Sequence, residues 1–108
     1  MKIITPGHKY ELANFENTSA PGQVIQFIEK EPTAPGATTL KTVNDGTTNE
    51  EVLAVLIDRL KFLSAKLASR ETSLAVTKLQ EGLHWLEERT KGRKAAGVEG
   101  TNAPLPAK

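Results

Sequence analysis

The chain has 108 residues, 38% hydrophobic and 25% charged, which suits one small domain of ordinary soluble composition. A net charge of +1 argues against a protein that tracks a nucleic-acid backbone, because such proteins usually carry a clear basic excess. Cysteine is absent, so neither a disulfide framework nor a thiolate zinc site can form; with no 18-residue apolar run and no signal-peptide core, the chain reads as cytosolic.

Residues 8 to 43 read as β. "HKYELANFE" alternates, with Tyr10 and Leu12 on one face. "QVIQFIEKE" is richer in β-formers, with Val24, Ile25, Phe27 and Ile28. Between them, residues 17 to 22 carry turn chemistry, ending in Pro21 and Gly22. "EPTAPGA" is a second breaker, and "TTLKTV" a weaker third strand. The product expected is two or three antiparallel strands.

A helix follows from about Asn49 to Lys66, with Thr48 as N-cap and Glu51 completing a capping box. "LASRE" breaks it. Ser69 caps a second helix, whose first turn holds Glu71 against the positive end of the dipole. That helix is expected to reach about Arg89 or beyond and to fray near Gly92, leaving a Gly- and Pro-rich, partly mobile tail over 94–108.

Each helix is apolar on more than one face. Leu53, Leu56, Ile57, Leu60, Leu63 and Leu67 form the expected core stripe of the first, with Val55 and Phe62 roughly opposite. Val76, Leu79, Leu83 and Leu86 form that of the second, while Leu74 and Trp85 point away. Burying a large apolar side chain contributes about 1.5–3 kcal/mol, so wet second faces forgo several such units. These faces pack either on the chain's own β segment or on a second subunit. The subunit is the favoured solution, with a twofold dimer as its default symmetry.

Catalytic signals are poor. The two histidines, His8 and His84, show no H-E-x-x-H spacing, and no G-x-S-x-G, Walker A or G-x-G-x-x-G pattern occurs. No catalytic residue, metal site or cofactor is therefore assigned, and no enzyme is expected. Binding signals are better: Phe62 and Trp85 lie off the core, and Arg89 and Arg93 stand four apart near a helix end. A nucleotide base stacks on an aromatic plane, and Arg forks onto phosphate. Basic residues at a helix C-terminus also simply complement the dipole. The residues alone leave a nucleotide pocket and an unliganded interface both open.

The stretch "TTNEEVLAVLIDRLKFLSAKLASRETSLAVTKLQEGLHWLEERTKGRKAAGVEG" resembles the helical hairpin of the phage Thoeris anti-defence sponge family, which is shared with the phage anti-CBASS sponges. The blocks "TNEEVL", "KLxExLxWLEERT" and "GVEG" carry the likeness, and "HKYELANFE" with "QVIQFIEKE" resembles the β segment of the Thoeris branch. The resemblance spans roughly residues 8 to 101. It implies a non-catalytic protein that sequesters nucleotide immune signals in the cytoplasm of the infected bacterial host. These signals are glycocyclic ADP-ribose, cyclic dinucleotides or cyclic trinucleotides. It further implies self-association to dimers and hexamers, with cyclic trinucleotides in a separate threefold pocket. By the same resemblance Phe62 matches the base-stacking aromatic, and Arg89 and Arg93 match two ligand-binding arginines. Thr72 stands where relatives have Asn, which keeps a hydroxyl donor and acceptor. Ala96 stands where an Arg commonly precedes "GVEG".

The fold expected is α+β: a small N-terminal antiparallel sheet followed by an antiparallel two-helix hairpin, homo-oligomeric. It forms one domain over 1–108, with strands in 8–43 and the hairpin in 49–92. The alternative function is an oligomeric interaction module without a small-molecule ligand.

Overall fold

The computed structural model describes residues 1–105. The last part of the expected tail, residues 106–108, lies outside the described residues. The chain is α+β and divides into two compact units, Met1–Thr48 and the remainder from Asn49 on.

The first unit holds five short strands. They are β1 (Lys2–Thr5), β2 (Lys9–Glu11), β3 (Val24–Gln26), β4 (Glu29–Pro32) and β5 (Leu40–Asn44). β1, β2 and β3 form an antiparallel sheet in that order, and β4 and β5 a separate antiparallel pair. Two features depart from the sequence reading. A strand precedes residue 8, joined to β2 by a tight turn in which His8 N–H donates to the Thr5 carbonyl at 3.0 Å. Gly7 takes φ 77°, and Pro6 before it presets its own dihedral, the arrangement a type II turn requires. The second departure is that "QVIQFIEKE" is not one strand. Its first half pairs with β2, and its second half pairs with β5 in another sheet. At the switch, Phe27 N–H donates to the His8 carbonyl, Ile28 N–H to the Thr47 carbonyl, and Thr47 N–H to the Gln26 carbonyl. The Phe27 ring meets Tyr10 edge-on at 6.0 Å between centroids, a favoured aromatic geometry.

The loop between β2 and β3 is closed by Leu12 N–H donating to the Gln23 carbonyl at 2.7 Å. The Asn14 amide points at the carbonyls of Asn17, Ala20 and Pro21, which ties the loop to itself. Gly22 is required there, since a Cβ would fall on the Leu12 carbonyl oxygen. Gly22→Ala is expected to cost roughly 2–3 kcal/mol, because backbone rather than a yielding side chain must move. Amide exchange of Leu12 should then be at least several-fold faster; unchanged protection would show that the loop absorbs the methyl group.

The second unit is a hairpin of α1 (Asn49–Lys66) and α2 (Arg70–Ala95), joined by three residues and folded back on one another. Ser69 caps α2 from extended backbone, and its Oγ accepts from Thr72 N–H. The inward positions of α2 are Thr72, Val76, Leu79, Leu83, Leu86, Thr90 and Arg93, and those of α1 include Leu53, Ile57, Leu60 and Ser64. Both follow alternating three- and four-residue steps, the 3.5-residue seam of a coiled coil. The expected α2 stripe is thus the inward one, extended at each end by polar residues. The expected α1 stripe is corrected. Ile57 is buried and Leu53 and Leu60 half-buried, but Leu56, Leu63 and Leu67 are exposed. Leu56 and Leu63 lie on the next row of the helix, outside the narrow seam that one partner helix covers, and Leu67 lies in the connection beyond its end.

α2 runs through Gly92 to Ala95, past its expected fraying point. A helical glycine costs only about 1 kcal/mol, and the last seam position, Arg93, is held firmly. Beyond it, residues 97–103 of the expected mobile tail are hydrogen-bonded: Val98 N–H donates to the Arg93 carbonyl and Thr101 N–H to the Val98 carbonyl.

Candidate functional site

Phe62 lies on the outer side of α1 and is 60% exposed. It lines an open groove of about 510 Å³ together with Ala54, Val55, Asp58 and Arg59. The Lys66 ammonium sits 4.5 Å above the ring centroid, a cation–π contact. A flat guest would stack on the opposite face or displace this ammonium. Arg59 is a cation that the sequence reading passed over; its spacing of three residues from Phe62 would have placed it on the same side.

Thr72 is half-buried in the first turn of α2, and Ser69 Oγ donates to its Oγ1 at 2.8 Å. The Thr72 hydroxyl hydrogen stays available to donate, which preserves part of what an Asn amide would offer. Trp85 is 70% exposed and meets the His84 ring edge-on at 5.4 Å.

Arg89 is exposed near the other end of α2, and no ion pair to it occurs among the described residues. Arg93, one turn further, is buried. Its Nη2 donates to the carbonyls of Val98, Thr101 and Ala103, each at 3.0 Å, and its Nε lies 3.5 Å from the Glu99 carboxylate. The two arginines that the sequence pairs are therefore different in state: one free fork and one cation held by its own chain.

Within one hairpin the four candidate residues fall into two groups. Phe62 is four residues from the end of α1 and Thr72 two residues into α2, so both stand at the closed end. Arg89 follows Thr72 by 17 residues, which at 1.5 Å per residue is about 25 Å along the axis. No single small guest contacts both groups in one chain. Among the described residues no cluster of His, Asp and Glu is arranged to hold a metal ion, and no helix is long and apolar enough to cross a membrane.

One hairpin thus carries an exposed aromatic ring near its closed end and two arginines near its open end. The family model for the Acb2/Tad1 hairpin domain matches residues 25–91, well over half of the chain, and the chain belongs to this phage anti-defence sponge family. It is 44% identical over 59 residues, 54% of its length, to "Thoeris anti-defense 1" of Bacillus phage SBSphiJ7. The matched stretch spans 42% of that relative.

Proposed function

We propose that this chain is a phage anti-defence sponge. As a homo-oligomer it binds nucleotide immune signals, of the glycocyclic ADP-ribose or cyclic oligonucleotide type, and keeps them from their receptors without cleaving them. The observation that carries this reading is the separation of about 25 Å between Phe62 with Thr72 and Arg89 with Arg93 along one hairpin. Two hairpins packed head to tail place the closed end of one beside the open end of the other. Each of two equivalent pockets then receives a ring and a hydroxyl from one protomer and arginines from its partner, as an isologous twofold contact demands.

The burial pattern supports the same assembly. Among the described residues Ile57 is the one buried apolar side chain, while Val55, Leu67 and Trp85, outside the proposed pocket, are each at least 60% exposed. Covering them is what a homodimer interface does, since its core is more apolar than ordinary surface. Hexamers made of such dimers are the larger assembly this reading includes. Capture itself requires no general base or nucleophile. A base stacks on Phe62, Arg89 meets a phosphate as a fork, and enclosure by two chains removes the guest from water.

The test is calorimetry against glycocyclic ADP-ribose isomers, cyclic dinucleotides and cyclic trinucleotides, combined with native mass measurement of the 11.7 kDa chain's assembly. Two guests per two chains, one in each equivalent pocket, and a guest recovered intact after heat denaturation are expected. A cleaved product would replace the sponge by a hydrolase. Silence across the panel from an intact oligomer would favour the interaction module without ligand. Arg89→Ala should weaken binding by about 1.5–3 kcal/mol, the range for a hydrogen bond to a charged group. The deficit should widen as salt is lowered, because the missing contribution is electrostatic; equal affinities at low salt would remove Arg89 from the pocket.

A further inference from the structure

Arg93 occupies the last seam position of α2, and the chain beyond it is shaped around the guanidinium. Gly97 and Gly100 adopt φ 74° and 78°, dihedrals that let the backbone reverse within a few residues. The Thr101 hydroxyl donates to the Val98 carbonyl at 2.6 Å and accepts from Ala103 N–H at 3.2 Å. That one side chain thus ties together all three residues whose carbonyls face Arg93 Nη2. Glu99, from the same segment, supplies the carboxylate at Nε. Three carbonyl dipoles and one carboxylate converge on the guanidinium cation.

This arrangement engages one edge of the guanidinium. Nη1 has no hydrogen bond among the described residues. Among the described residues no buried side-chain nitrogen lacks a partner, and the Arg93 side chain keeps 10% of its surface exposed. A free arginine loses rotamer freedom when it meets a guest, which weakens binding; a side chain already held loses little.

We propose that segment 98–103 is a positioning device for Arg93, with Thr101 and Glu99 as its positioning residues. It locks the Nε–Nη2 edge before a guest arrives and leaves Nη1 as a fixed single donor to an anionic group. The inference rests on the sponge reading for the guest, but the lock itself is a property of the free chain. The pocket is then asymmetric: Arg89 is an adaptable two-pronged donor, and Arg93 a rigid one-pronged donor.

The experiment uses the full chain labelled with ¹⁵N-arginine, as wild type, Thr101→Val, Thr101→Ser and Glu99→Gln. The Arg93 Nε–H resonance is identified by its loss in Arg93→Lys. Without guest, its exchange with water should be slow in the wild type. It should quicken about tenfold in Thr101→Val, return in Thr101→Ser and lie between in Glu99→Gln. Affinity for glycocyclic ADP-ribose should fall roughly 2- to 10-fold in Thr101→Val, the cost of one re-immobilised side chain, and recover in Thr101→Ser. An unchanged Arg93 resonance in Thr101→Val overturns the inference. So does reduced affinity with an unchanged resonance, because Thr101 would then touch the guest itself. A released Arg93 resonance in a chain whose wild type binds no guest upholds the lock and overturns the sponge reading.

Discussion

Phe62→Ala is expected to weaken capture of a nucleotide signal by about 5- to 150-fold, the equivalent of the 1–3 kcal/mol that stacking of one base contributes. The ring is already 60% exposed in the free chain, so the fold loses little with it. What goes is a contact with the Lys66 ammonium 4.5 Å above the ring, about 0.5–1 kcal/mol at an exposed site. Thermal unfolding of the variant should therefore stay close to that of the wild type while its affinity collapses. Titration calorimetry and a melting curve on the same preparation separate the two effects. Affinity equal to the wild type would take Phe62 out of the pocket, and a large fall in melting temperature would make it a core residue.

Arg93→Ala should behave in the opposite way. Removing the guanidinium leaves three carbonyls and the Glu99 carboxylate facing one another without a cation. Glu99 keeps some solvent contact, so its repulsion is partly screened, but the vacated seam position and the lost charge-assisted bonds together should cost about 2–4 kcal/mol. In a unit of this size that corresponds to a fall in melting temperature of about 10 °C or more. Circular dichroism at helical wavelengths measures it, and proteolysis after Lys94 should be faster because segment 98–103 loses its anchor. Arg89→Ala, only one turn away but exposed, should melt with the wild type. Equal melting of all three proteins would show that the carbonyl cluster contributes nothing to the fold.

Much of the hairpin is legible in the residues. α1 spans Asn49–Lys66 as the capping and apolar pattern indicate, and Ser69 caps α2. Val76, Leu79, Leu83 and Leu86 mark the inner side of α2 because helical spacing is a local property of the backbone. The β unit is less legible. "QVIQFIEKE" is uniformly strand-like, yet it divides between two sheets, because pairing depends on distant partners such as β2 and β5. β1 escaped notice although Pro6 and Gly7 announce its turn; two isoleucines beside a terminus are too short a run to read as a strand by pattern alone.

The candidate site divides along the same line. Residue types and spacing mark Phe62, Arg89 and Arg93 as chemically apt for a nucleotide, and the helical period puts both arginines on one side of α2. By itself, then, the sequence determined the two helices and the inner row of α2, while it drew the inner row of α1 too wide. Only the tertiary structure decided that Phe62 and Arg89 stand at opposite ends of the hairpin, and that Arg93 is enclosed by its own chain while Arg89 is exposed. The physical reason is reach. Propensity and periodicity act over one or two turns, whereas the distance between helix ends and the carbonyls that meet a guanidinium depend on where the chain reverses, at residues 67–69 and again at Gly97 and Gly100.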